Sequence, residues 1–241
     1  MTEFHKRFSN EQAVFNTIVE QYQLRTVLDA GCGTGFHSLI LASLGVEVTA
    51  VDVSEQMLQV LNRNADEMQL QVQTVQSSFQ QLKDKIEGEF DAVFCLGNSL
   101  PHLLSTDELK ETLQNFYSLL NPDGMLFIQL LNYERILFKK ERIQSIKEID
   151  GTTFVRFYDF GNRTINFNIL KIQKTSQQLM HTLESIELNP MRFEDINEQL
   201  YICGFSDIQK YGSLTFEKFS EENSRDLVLT SKKLHTKNTL F

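Results

Sequence analysis

The sequence predicts an α/β fold: a doubly wound, mostly parallel seven-stranded sheet with a small antiparallel β insertion after the fifth strand. Three observations predict it. Short apolar runs alternate with stretches of helical periodicity from the N-terminal region to "MLFIQLL", the rhythm of strands joined by crossover helices. One run, "FDAVFCLG", is almost uniformly apolar, as strands buried on both faces of a parallel sheet are. The alternation then stops near Asp150, and three strand-like runs follow with no helix between them.

Taken in order, Asn10 to Gln23 carry an apolar stripe (Val14, Phe15, Ile18, Val19, Tyr22) that predicts a helix capped by Ser9 or Asn10. "TVLDA" is a short buried strand, and "FHSLILASLG" a helix stopped by Gly45. "VEVTAVDVS" is a second strand reaching Asp52, and Ser54 caps the helix "EQMLQVLNRNADEM". "LQVQTVQS" and "FDAVFCLG" are the third and fourth strands. A helix over Thr106–Leu120 ends at the turn signal "NPDG", and "MLFIQLL" is the fifth strand. "TTFVRFYDF", "TINFNILKIQ" and "LMHTLESIEL" form the insertion, with turns at Gly161-Asn162 and Ser176-Gln177. "RFEDINEQLYICG" returns to helix, and strands at "SDIQKYG" and "RDLVLTSKK" close the sheet. The expected organisation is an N-terminal helical segment (1–24), a main domain (25–149 and 189–241) and an inserted lid or pocket wall (150–188).

The chain of 241 residues suits one large domain with a modest insertion. Nineteen phenylalanines and a 41% apolar fraction supply a large core. Net charge is −9, which argues against nucleic acid as a partner and leaves small molecules as the expected substrates. The basic clusters "KKER" and Lys232-Lys233 read as solvated faces or strand edges. Apolar runs fall short of the roughly 18 residues of a membrane span, and the N-terminal residues lack the apolar stretch of a signal peptide. Three widely spaced cysteines read as reduced thiols with no metal site, and a cytoplasmic location is expected.

The chemistry concentrates in "VLDAGCGTGF". Glycine in ordered backbone costs roughly 0.5–1 kcal/mol relative to alanine, yet Gly31, Gly33 and Gly35 stand together between a strand and a helix. Such a loop turns tightly and lets a ligand approach the backbone, and the following helix offers unpaired N–H groups. Asp52, about 20 residues after the first glycine, ends the second strand where an acid can hydrogen-bond ribose hydroxyls. A nucleoside cofactor is implied. The glycines read G-x-G-x-G, not the dinucleotide G-x-G-x-x-G, and no Gly-Lys-Ser/Thr follows for a P-loop. A nicotinamide-dependent oxidoreductase and a non-catalytic cofactor-binding protein remain the alternatives from these residues.

"VLDAGCGTGF" resembles the first motif of class I S-adenosylmethionine-dependent methyltransferases, and "VTAVDVSEQML" their second. "FDAVFCLGNSLPHLL" with "NPDGMLFIQLLNYERIL" is similar to the glycine and sarcosine N-methyltransferase branch. The resemblance implies a Rossmann-like fold and S-adenosyl-L-methionine as cofactor. Asp29 and Gly31–Gly35 would pass around its methionine and ribose parts, Asp52 would hold the ribose hydroxyls, and Val53 and Met57 would pack on adenine. Ser78 and Phe79 fall where many relatives have an acid and an apolar residue beside adenine; the acid is absent here. Leu96 would meet the methionine amino group through its backbone. Arg7 stands where that branch has an arginine for the methionine carboxylate. Relatives carry an aromatic residue further upstream, so a shorter or different N-terminal lid is expected.

Asn98 and His102 follow the fourth strand, at the carboxyl ends where open α/β sheets bind ligands. They read either as turn chemistry or as residues that orient the nucleophile. An amine acceptor needs little beyond being neutral, whereas an oxygen acceptor wants a base, for which His102 is placed. His37 reads as a packed or solvated histidine. Tyr133, Arg135, Arg156 and Tyr158 are expected around the acceptor. The glycine-specific enzymes carry a carboxylate-binding arginine where this chain has Leu131. The resemblance therefore does not imply glycine as substrate unless Arg135 or Arg156 replaces that arginine, and a more apolar pocket is expected from Tyr133, Phe154, Phe157 and Tyr158. DNA amino-methylating enzymes carry Asn/Asp-Pro-Pro-aromatic where this chain has "GNSLPH".

Overall fold

The computed structural model describes residues 3–174 and 178–234. Helix α1 (Glu3–Tyr22) precedes β1 (Thr26–Ala30), α2 (Phe36–Ser43), β2 (Glu47–Asp52), α3 (Glu55–Met68), β3 (Gln73–Gln76), α4 (Leu82–Lys85), β4 (Phe90–Cys95), α5 (Thr106–Leu119) and β5 (Leu120–Leu131). Then come α6 (Tyr133–Lys139), β6 (Ile143–Ile149), β7 (Thr152–Phe160), β8 (Ile165–Lys174), β9 (Leu179–Leu188), α7 (Phe193–Ile202), β10 (Phe205–Tyr211) and β11 (Asp226–Lys233). The main sheet has seven strands in the order β10-β11-β5-β4-β1-β2-β3. β1 to β5 are mutually parallel where they pair, and β11 runs antiparallel to both β5 and β10.

Both faces of this sheet are covered. Adjacent residues of a strand point to opposite faces, so Val27 joins a core with Leu39, Phe15 and Ile18 from α1 and α2. Leu28 joins another with Leu113, Phe116 and Leu200 from α5 and α7. Phe94 and Phe127, on neighbouring strands β4 and β5, stack with centroids 4.5 Å apart. The Ser54 cap read from sequence is present, accepting from the Met57 N–H at the start of α3; Ser105 with Glu108, not anticipated, forms a reciprocal capping box on α5.

Several elements differ from the sequence expectation. α1 starts at Glu3, so Ser9 and Asn10 lie inside it and do not cap it; buried Phe8 extends the apolar stripe one turn earlier, and Arg7 pairs with Glu11 one turn on. "NPDG" does not end a helix before a separate strand. It forms an irregular start to β5, where the pairing with β4 jumps from Phe90↔Leu120 to Ala92↔Met125. The antiparallel sheet has four strands, not three, ordered β6-β7-β8-β9. Its first strand begins at Ile143, ahead of Asp150, and is preceded by the unanticipated α6, capped by Asn132 accepting from the Arg135 N–H. β6 is exposed at nearly every position, so no buried alternation marks it in the sequence. The turn expected at Gly161-Asn162 is present, closed by the Gly161 N–H donating to Thr164 O at 2.9 Å; that at Ser176-Gln177 lies outside the described residues.

Candidate functional site

The connections from β1 lead through β2 to β3 on one side of the sheet, and those from β4 lead to β5 on the other. The carboxyl ends of β1 and β4 therefore flank a topological switch point, the position at which open α/β sheets bind ligands. The glycine loop leaves β1 there, and the Leu96–His102 segment leaves β4 beside it.

The loop is built largely from backbone. The N–H groups of Gly31 and Cys32 both donate to Val51 O on β2, at 2.8 and 2.9 Å. The Gly33 N–H donates to Asp52 Oδ2 at 2.8 Å, and the Ser54 N–H to Oδ1 at 2.9 Å. Asp52 is thus held in one orientation by two backbone donors, with acceptor capacity left on each oxygen. The glycines then part company. All three have positive φ, but a Cβ at Gly35 would lie 2.2 Å from Leu61 Cγ on α3, whereas at Gly33 it would meet no atom within 4 Å. Gly35 is needed for helix packing, and Gly33 borders open space. Gly31 runs close beneath Ser99 and Phe79.

Ser99 bridges the two loops. Its hydroxyl lies 3.2 Å from Gly31 O and 2.9 Å from Leu96 O, two acceptors converging on a donor with one proton. Leu96 itself is buried. Val53 and Met57, by contrast, are 66% and 43% exposed beside Asp52, an apolar surface next to a carboxylate. Phe79 packs edge-on against Phe116, and its carbonyl accepts from Asn115. Ser78 is half-buried, and its carbonyl accepts from the Ser77 hydroxyl and the Gln81 N–H.

Asp29 lies beneath the loop, 2% exposed, accepting from the Ser38 hydroxyl of α2 at 2.5 Å. Burial raises its pKa, against the opposing effects of His37 and the Ser38 hydrogen bond. Burial also pushes the Cys32 thiol up, reinforced by Asp29 and Asp52, so it stays protonated. Arg7 stands on α1. Its guanidinium lies 4.0 Å over the Phe36 ring and pairs with Glu11 at 2.7 Å. Glu11 also faces His37 at 3.3 Å. Burial would raise the Glu11 pKa, but hydrogen bonds to His37 and Arg7 outweigh it and the net shift is downward. His37 stacks on Phe15, the packed role read from sequence. Arg7, Glu11, His37 and Gly97 share a cleft of ≈710 Å³ with Gln129, Arg225 and Asp226.

On the acceptor side, Asn98 has φ 71°, and its backbone N–H donates to Gln129 O. Its amide faces the buried Tyr133 hydroxyl, with Nδ2 at 3.1 Å and Oδ1 at 3.2 Å, and Oδ1 accepts from the Leu131 N–H at 3.0 Å. Asn98 therefore fastens the β4 loop to the end of β5. Tyr133 turns inward to it and does not line the cleft; burial raises its pKa despite this hydrogen bond. His102 lies in a single 3-10 turn (Leu100–His102) with its side chain partly exposed. Partial burial lowers its pKa, opposed by the charge of Asp52.

Leu131, Arg135, Arg156 and Tyr158 do come together, in a second cleft of ≈520 Å³ between α6 and one face of the antiparallel sheet. Lys139, Lys147 and Arg225 line it too. Five cationic side chains thus line this cleft beside the apolar Leu131, Ile136, Tyr158 and Phe167. Phe157 lies between Arg156 and Tyr158 and projects from the opposite face, where the Arg142 guanidinium lies 5.7 Å from its ring. Sequence reasoning missed Ser99, Lys147 and Arg225. Lys139, in the "KKER" cluster read as a solvated face, lines the cleft. Arg225 reaches it because β11 pairs with β5, Asp226 opposite Leu131, a contact between residues 95 positions apart that no local pattern signals.

Comparison with known proteins agrees with this geometry. A "Methyltransferase domain" family model matches residues 27–124, from β1 to the start of β5. A "Glycine/sarcosine N-methyltransferase" of Aphanothece halophytica is 31% identical over 95% of this chain and 84% of that protein. One of Halorhodospira halochloris is 36% identical over 75% of this chain and 73% of its own length. An S-adenosylmethionine-dependent methyltransferase of Clostridium acetobutylicum superposes with a TM-score of 0.81 at 17% identity, covering 93% of this chain and 91% of that one; it shares the fold. The donor is thereby S-adenosylmethionine and not a nicotinamide, and the chain is an enzyme. Identity above 30% sustained along most of both sequences joins the glycine loop and Asp52 to one lineage, and the chain belongs to the class I S-adenosylmethionine-dependent methyltransferases.

Proposed function

We propose that the protein transfers the methyl group of S-adenosylmethionine to the nitrogen of a small amine. The observation that carries nitrogen over oxygen is the likeness to two relatives named as N-methyltransferases, each matched over three quarters of this chain or more. The acceptor rim is consistent with it. An amine attacks through its own lone pair, so the rim needs only to position it.

The residues present fit the cofactor. Asp52, its orientation fixed by Gly33 and Ser54, receives the ribose hydroxyls. The exposed side chains of Val53 and Met57 form the apolar seat for adenine, with Phe79 nearby. The paired carbonyls of Gly31 and Leu96, now bridged by Ser99, suit an ammonium with three donors. Arg7, steadied by Glu11 and Phe36, receives the methionine carboxylate. Asp29, buried with Ser38, does not reach the cofactor and instead ties the end of β1 to α2 beneath the loop. The bound donor supplies an activated methyl on a positively charged sulfur. Asn98 works as a positioning residue, holding Leu131 and Tyr133 at the end of β5 while the amine aligns beside them. His102, its pKa lowered, is neutral at pH 7 and adds no positive charge there.

Incubation with methyl-labelled S-adenosylmethionine and a panel of small amines and alcohols, read by mass spectrometry and NMR, tests this. The expected product carries the label on nitrogen. Label on oxygen, or none despite tight cofactor binding, would overturn it.

A further inference from the structure

The cleft between α6 and the antiparallel sheet is at odds with the rest of the protein. The chain carries a net charge of −9, yet Arg135, Lys139, Lys147, Arg156 and Arg225 converge on this one cleft, with Glu141 as its only acidic lining residue. None of the five cations forms an ion pair among the described residues; the pairs there involve Arg7, His37, Arg142, Arg192, Lys232 and Lys233. The convergence follows from the fold. Ser145 and Lys147 alternate on one face of β6, Arg156 and Tyr158 on the same face of β7, and Ser145 is in register with Arg156. α6 brings Arg135 and Lys139 over that face, one turn apart. Arg225 enters from the residue before β11.

Like charges gathered in one cleft repel, Arg225 alone of the five being offset by the charge of its neighbour Asp226, and an anion relieves the repulsion. Arginine is suited to bidentate recognition of carboxylate and phosphate oxygens. The cleft joins the proposed reaction site in two ways. Leu131, which lines it, is tied to Asn98. Lys147 and Arg225 also line the cleft that contains Gly97 and Arg7. At ≈520 Å³ it lies in the size range of about 300–1,000 Å³ that holds ligands much larger than a simple amino acid.

We propose that this cleft binds an arm of the methyl acceptor bearing two or more negative charges on oxygen, so that the substrate is a polyanionic amine. The inference rests on the amine-methylation reading. Arg135 and Arg156 grip the arm, Arg225 and Lys147 hold its inner end, Lys139 closes the outer end, and Tyr158 with Phe167 forms the apolar wall. Leu131 leaves the amine end without a carboxylate clamp and moves anion recognition outward to this cleft.

The test is calorimetric titration of the full chain, in the presence of S-adenosylmethionine at low ionic strength, with inorganic pyrophosphate and separately with citrate. One site with a dissociation constant below about 1 mM is expected for at least one of them, and the tighter of the two identifies a phosphate or a polycarboxylate arm. The double variant Arg135→Gln/Arg156→Gln should weaken binding about tenfold or more. Arg225→Gln, an exposed side chain, should weaken it severalfold and serves if the double variant does not fold. Absence of saturable binding by either anion, or unchanged affinity in these variants, would overturn the proposal. Failure of anion binding with intact nitrogen methylation counts against the cleft alone. Anion binding without methylation of any amine counts against the activity alone.

Discussion

The two ends of the reaction site are made in opposite ways. The cofactor end is assembled from neighbouring backbone: Gly31, Cys32 and Gly33 bond to Val51 and Asp52 on the adjacent strand. The cleft proposed for the acceptor is assembled from side chains on α6, β6, β7 and the approach to β11, segments that meet only once both sheets have formed. The first end presents carboxylate and carbonyl oxygens at Asp52, Gly31 and Leu96; the second presents cations that form no ion pair among the described residues. The main sheet is buried on both faces, whereas β9 is exposed at every position but Leu188. The contrast teaches that the donor recognition we propose rests on a locally determined loop tied to the adjacent strand. The acceptor recognition we propose is carried by replaceable side chains on a peripheral sheet.

The largest effect should separate two glycines that stand two residues apart. Gly33→Val places a branched side chain at φ 56° in open space, adding strain of about 1–3 kcal/mol and filling the space beside Asp52. Cofactor affinity should fall by about a hundredfold or more, equivalent to about 2.7 kcal/mol, while the chain still folds. Gly35→Val drives into Leu61 and should instead show up as lost folding. Circular dichroism melts beside calorimetry check the pair; equal melting temperatures in the two variants would break the distinction.

A smaller effect belongs to Asn98, which joins the two ends. Asn98→Ala leaves the buried Tyr133 hydroxyl without this partner, a loss of about 1–3 kcal/mol. The melting temperature should drop, and turnover should fall about tenfold while cofactor affinity changes less. Steady-state kinetics and calorimetry on the same preparation decide it. Full activity would confine Asn98 to turn chemistry.

The smallest effect is expected at His102. Its pKa is lowered, so protonation on going to acid pH is harder in the folded chain than in the unfolded one. Its contribution to stability is present above the unfolded value near 6.5 and is lost as pH falls through the lower folded value. His102→Gln should therefore flatten slightly the fall of melting temperature between about pH 7 and pH 5. The acid limb of the pH–rate profile should persist, because it belongs to the amine. Disappearance of that limb in the variant would make His102 a base and favour an oxygen acceptor.

The contrast also explains what the sequence made legible. β1, β2, the Ser54 cap and Asp52 are readable because apolar runs, caps and glycine spacing are local signals. The same applies to the seven-stranded sheet and to an antiparallel insertion after β5. β6 escaped because its residues are exposed on both faces, leaving no period to detect. α6 is only seven residues long, two turns that its glutamate, arginine and lysine disguise as charged surface. Arg135 and Arg156 are legible as rim residues, but the full cationic cleft is not: Lys147 and Arg225 are each ordinary surface residues until pairing of β6 with β7 and of β11 with β5 brings them to it.

The division of labour is tested most directly by measuring S-adenosylmethionine affinity in two variants side by side, Asp52→Ala and Arg156→Gln. Charge-assisted hydrogen bonds to two ribose hydroxyls contribute about 1.5–3 kcal/mol each. Asp52→Ala should therefore bind at least about tenfold more weakly, whereas Arg156→Gln should match the wild-type protein within about twofold. Unchanged affinity in Asp52→Ala, or a comparable loss in Arg156→Gln, would contradict the account.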